Sequence, residues 1–82
     1  MSKVEKPDEL TSEQVRAARG LLGWSQGDLE AHSGIARKTL ADFEGGKRRP
    51  YSRTLVDIRT ALESAGVAFT DGDEPGVKLR KA

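Results

Sequence analysis

The chain has 82 residues, 35% hydrophobic and 33% charged, which suits one small domain with a modest core. It contains no cysteine, which excludes a disulfide framework or a thiolate metal site and is compatible with a reducing cytoplasm. Net charge is only +1, no apolar run approaches the roughly 18 residues of a membrane span, and the polar N-terminus lacks a signal-peptide core, so a cytoplasmic protein without membrane contact is expected.

Residues 1–10 mix Lys, Glu, Asp and Pro without periodicity and read as a flexible tail. A first helix is predicted from Thr11, which forms a capping box with Gln14, and Val15, Ala18, Leu21 and Leu22 recur at helical spacing before Gly23 stops it. Ser25 caps a second helix, with Asp28 favouring its positive end. Trp24 before the cap and Leu29 at the fourth helical position have the spacing of a hydrophobic staple, which places Trp24 in the core. Ser33-Gly34 makes a turn into a third helix over about residues 36–44, which buries Leu40 and Phe43 and ends at Gly45-Gly46. A fourth helix is expected over roughly Ser52 to Ala65, with Leu55, Ile58 and Leu62 on one stripe and Gly66 as its stop.

The period then changes. Val67 and Phe69 alternate with Ala68 and Thr70, and Val77 and Leu79 with Lys78 and Arg80, across the turn-rich residues 71–76. The pattern predicts a β-hairpin over 67–82. Its four apolar residues share one face, too small to stand alone, so the hairpin must either cap its own helices or meet a second copy. Use as a dimerisation element is the favoured expectation.

Residues 25–50 therefore hold a short capped helix, a Gly turn, a second short helix with a basic outer face, and a Lys-Arg-Arg cluster. This is the order of a helix-turn-helix, in which the second helix lies in a DNA major groove. The charge distribution agrees. Between residues 36 and 53, six cations (Arg37, Lys38, Lys47, Arg48, Arg49, Arg53) oppose Asp42 and Glu44, a balance of +4 that leaves −3 for the rest of the chain. A basic face on an acidic body is the electrostatic footprint of a nucleic-acid partner.

Other chemistry fits poorly. His32 has no second histidine and no cysteine with which to share a metal. Asp71-Gly72-Asp73 begins like a calcium loop, but the fifth and twelfth positions are Pro75 and Ala82. Gly45-Gly46-Lys47 lacks the remaining residues of a phosphate-binding loop. No catalytic constellation, cofactor or metal is expected.

The spaced string Trp24-Ser25-Gln26, Leu29, Ser33-Gly34-Ile35, Thr39-Leu40, Phe43-Glu44, Gly46-Lys47 and Pro50 resembles the Cro and lambda-repressor-like (XRE) helix-turn-helix family over about residues 12–66. The resemblance implies a mainly α fold: a compact four-helix lambda-repressor-like DNA-binding domain, here with a C-terminal β-hairpin where the family has a fifth helix. It implies that Gln26 meets a phosphate and that Arg37 and Lys38 reach base edges, with Asp42 one turn further. Lys47, Arg48 and Arg49 would grip the backbone, joined by Arg53, and Arg19 would form a buried ion pair with Glu44. Two departures bear on packing. Ala36 stands where a capping Ser or Thr is usual, and Glu30 where a small residue is usual, so Glu30 must swing into water or pair with a cation.

The implied function is a sequence-specific transcriptional regulator of bacterial or mobile-element type, a homodimer on an inverted-repeat operator in double-stranded DNA. With no effector domain in these residues it would act by occupancy, blocking RNA polymerase or touching it from an adjacent site. The alternative is a protein-binding adaptor or anti-activator that keeps the fold. Such an adaptor would carry apolar or acidic residues at 37, 38 and 47–49, whereas these are basic.

Overall fold

The structure is a computed structural model describing residues 10–70 and 75–80. In chain order these form α1 (Ser12–Leu22), α2 (Gln26–Ser33), α3 (Arg37–Glu44), α4 (Ser52–Ser64), β1 (Val67–Thr70) and β2 (Gly76–Leu79). This is the four-helix architecture with a C-terminal hairpin expected from the sequence.

The helix boundaries follow from their caps. Thr11 Oγ1 accepts from the Gln14 N–H at 3.1 Å, and Gln14 Oε1 accepts from the Thr11 N–H at 3.0 Å, so the capping box satisfies two otherwise orphaned donors. Ser25 and Asp28 make the same reciprocal pair at 3.0 and 2.9 Å. Gly23 (φ 72°) and Gly34 (φ 77°) end α1 and α2 in the left-handed conformation, which costs a residue with a Cβ more than glycine. α3 starts after Ala36 with no side-chain cap, as the sequence indicated.

The core gathers Val15 and Ala18 of α1, Leu29 of α2, Leu40 and Phe43 of α3, Leu55, Ile58, Ala61 and Leu62 of α4, and Val67 of β1. Complete burial of each large aliphatic side chain contributes about 1.5–3 kcal/mol. Leu10 belongs to this core too, with 0% exposure. Its grouping with the N-terminal tail is therefore corrected: an isolated apolar residue ahead of a cap carries no periodicity, yet it joins the core cluster that includes Phe43, whose ring lies under the Arg49 guanidinium. The same Arg49 donates to the Leu10 carbonyl at 3.0 Å. Residues 1–9 of the tail lie outside the described residues. Trp24 packs against the edge of the core and stacks on His32, ring centroids 4.2 Å apart.

The hairpin is antiparallel, with Val67 opposite Leu79 and Phe69 opposite Val77, so these four side chains share a face as predicted. That face turns onto the chain's own helices. Val67 is fully buried, and Phe69 and Val77 pack against the core. Arg59 of α4 lies over the Phe69 ring at 5.1 Å. Gln14 Nε2 donates to the carbonyls of Thr70 (2.9 Å) and Gly76 (3.1 Å). The hairpin thus closes the core of its own protomer. Of the turn expected over 71–76, residues 71–74 lie outside the described residues.

Candidate nucleic-acid interface

The position of α3 is set by a polar knot on its last residue. Arg19 of α1 meets Glu44 in a bidentate pair, Nε to Oε2 at 2.8 Å and Nη2 to Oε1 at 2.7 Å. Arg19 also donates from Nη1 to the Trp24 carbonyl at 2.9 Å. Arg16 donates to the Glu44 backbone carbonyl, and Gln26 Nε2 to Glu44 Oε1 at 3.2 Å. The start of α2 and the end of α3 are therefore tied to the same face of α1. Glu44 is 4% exposed, and burial alone would raise its carboxyl pKa. The hydrogen bonds from Arg19 and Gln26, with the charges of Arg19 and Arg16, outweigh that and hold it below the usual carboxylate range. The hydrogen bond to Glu44 in turn raises Arg19, against the opposing effect of burial.

This knot contains the expected Arg19–Glu44 pair and adds Gln26 to it. Its amide faces inward to Glu44, so in this structure Gln26 braces the motif. Arg16 was absent from the sequence reading, since an Arg on a polar helix face gives no signal of a carbonyl 28 residues away.

On the outer side, Arg37 and Lys38 are exposed in the first turn of α3. Lys38 lies 3.4 Å from Asp42 one turn on, an i, i+4 pair that engages Asp42 within its own helix. Arg37 lies 3.8 Å from Glu30 of α2, so Glu30 resolves its misfit at the helix contact by pairing with a cation.

After α3 the backbone N–H groups of Lys47 and Arg48 both donate to the Asp42 carbonyl, at 2.8 and 3.3 Å. This folds the loop against the helix and leaves the Lys47 and Arg48 side chains exposed beside it. Arg53 is exposed in the first turn of α4. Arg49 is different. Its bond to Leu10 and its place over Phe43 make it part of the scaffold as well as of the basic loop. A groove between α3 and the loop that follows it is lined by Lys38, Thr39, Asp42, Arg48, Pro50 and Tyr51. Tyr51, 88% exposed, went unnoticed in the sequence because its position before a helix carries no periodic signal.

Among the described residues no helix is long and apolar enough to cross a membrane, and no group of three His, Cys, Asp or Glu is placed to hold a metal.

A family model described as helix-turn-helix matches residues 15–65. An uncharacterized HTH-type transcriptional regulator, y4dL, of Sinorhizobium fredii (strain NBRC 101917 / NGR234) is 36% identical over 55 residues, which is 67% of this chain and 28% of that protein. The chain thus spans under a third of the length of that curated relative.

Proposed function

Because the chain belongs to the helix-turn-helix family of Cro and lambda-repressor-like (XRE) DNA-binding domains, we propose that it is a sequence-specific transcriptional regulator acting as a homodimer on an inverted-repeat operator. The observation that carries this reading is the exposure of the cations around the second helix of the motif. Arg37 and Lys38 at the exposed start of α3, and Lys47, Arg48 and Arg53 around it, all lie in the segment that follows the turn.

In this reading α3 enters the major groove. Arg37 and Lys38 offer donors to the O6 and N7 acceptors of guanine, which distinguish base pairs. Lys47, Arg48, Arg53 and one face of Arg49 bind phosphates, which fix register without reading sequence. Tyr51 extends this face with a hydroxyl that suits a phosphate oxygen. Asp42 tunes Lys38. Two subunits would read half-sites about 34 Å apart. Regulation then follows from occupancy, by excluding RNA polymerase or by touching it from a neighbouring site in the cytoplasm.

The experiment is selection of bound fragments from a random pool of duplex DNA. Enrichment of an inverted repeat with half-site centres about one helical turn apart supports the reading. Failure to enrich any duplex would favour the protein-binding adaptor.

A further inference from the structure

The side chain of Arg37 leaves the first turn of α3 and lies back over α2. Its Nε is 3.8 Å from Glu30 Oε1, and a Cβ added at Gly27 would stand 3.0 Å from its Nη2 and 3.6 Å from its Cζ. One edge of the guanidinium, Nε with Nη2, therefore faces α2. The other edge, Nη1 with Nη2, has no hydrogen bond to any described residue.

We propose, resting on the reading that α3 enters a DNA groove, that Glu30 and Gly27 are positioning residues that set the base specificity of Arg37. Glu30 draws one edge of the guanidinium toward α2 by its charge, and Gly27 leaves the space in which it lies. The outward fork is then held ready for the paired acceptors of a guanine.

Three physical points carry this. The pair is half-open to water, with side-chain exposures of 65% and 43%, so it adds little to stability, and removing it reads out in the orientation of Arg37 rather than in folding. Arginine has a large rotamer entropy, and a fork restrained before binding loses less of it on the base. Glycine within a helix is unfavourable relative to alanine, yet α2 carries it where a Cβ would stand 3.0 Å from Arg37 Nη2, close enough that the guanidinium would have to give way by a few tenths of an ångström.

The test uses the full chain and the duplex it enriches most from a random pool, together with the single-base-pair variants of that duplex and an unrelated duplex of equal length. Affinities are measured by fluorescence anisotropy for wild type, Glu30→Ala, Gly27→Ala, Arg37→Ala and the double variant Glu30→Ala/Arg37→Ala. Arg37→Ala identifies the base pair at which discrimination is lost. Glu30→Ala and Gly27→Ala are expected to melt at or above the wild-type temperature. Each should lower discrimination at that same base pair about fivefold, the coupling expected of neighbouring groups. In the Arg37→Ala background Glu30→Ala should change discrimination no further. Unchanged discrimination in Glu30→Ala overturns the proposal, as does a loss that persists without Arg37. Enrichment of no duplex at all overturns the DNA reading and this proposal together, and is thereby told apart from failure of the positioning role alone.

Discussion

Gln14 Nε2 donates to the carbonyl oxygen of Thr70 at 2.9 Å, joining the first turn of α1 to a strand 56 residues later. Its other amide atom, Oε1, accepts from the Thr11 N–H that opens the same helix. One side chain, 4% exposed, therefore closes a helix cap and holds a hairpin in place. This makes the hairpin an integral wall of the domain.

Replacing Gln14 by Glu separates those two functions. The carboxylate still accepts from Thr11, but it has no donor for the carbonyls of Thr70 and Gly76 and brings a charge into a buried position. The expected loss is about 2 kcal/mol or more in chemical denaturation, with faster amide exchange in β1 and β2 than in the helices. Retention of wild-type stability would mean that the hairpin is held by its apolar face alone.

The Glu44 knot predicts a dependence on pH. A carboxyl whose folded pKa is depressed stabilises the fold fully above its unfolded value, about 4.3 for Glu, and loses that stabilisation as pH falls through the folded value. Melting should therefore fall off on the acid side, and Glu44→Gln should flatten that limb. Glu44→Ala should cost on the order of 3 kcal/mol at neutral pH, because it leaves Arg19 without its partner in a partly buried site. An unchanged melting curve for Glu44→Ala would contradict the bracing role.

At the start of α3, Ala36 has extended ψ (141°) and no side-chain cap. A hydroxyl at this position meets an orphaned helix N–H, so Ala36→Ser should add about 0.5–1 kcal/mol of stability. Denaturant midpoints of the two proteins decide it; no gain would place the helix start elsewhere.

The local signals in the chain were readable where physics acts over one turn. The Thr11 and Ser25 caps, the Gly23 and Gly34 stops and the strand alternation all depend on residues three or four apart, and they gave the element order. The Arg19–Glu44 pair was readable through family resemblance, and the structure places it at hydrogen-bond distance. Long-range choices were not readable. Nothing near Leu10 marks it as core, and nothing in Gln26 shows whether its amide turns outward or toward Glu44. The hairpin's apolar face was evident, but which surface it covers depends on Gln14 and Arg59, whose polar side chains look solvent-directed in a linear pattern.

Arg48 and Arg49 are neighbours with the same chemistry and different surroundings. Arg48→Ala should leave stability unchanged and weaken binding to all DNA sequences alike. Arg49→Ala should lower stability by about 1 kcal/mol, through loss of the Leu10 carbonyl bond and the Phe43 contact, as well as weakening DNA binding. Thermal melts alongside anisotropy titrations on cognate and random duplexes separate the two. Equal behaviour of the variants in both assays would remove Arg49 from the scaffold.

The salt dependence of DNA binding tests the central claim most directly. If each subunit neutralises about four phosphates through its basic loop and neighbouring cations, a dimer releases counterions from about eight, and log K against log salt should fall with a slope near −7 on the enriched duplex. A slope shallower than about −2 on that duplex would contradict the account, since contacts to about eight phosphates release more counterions than that.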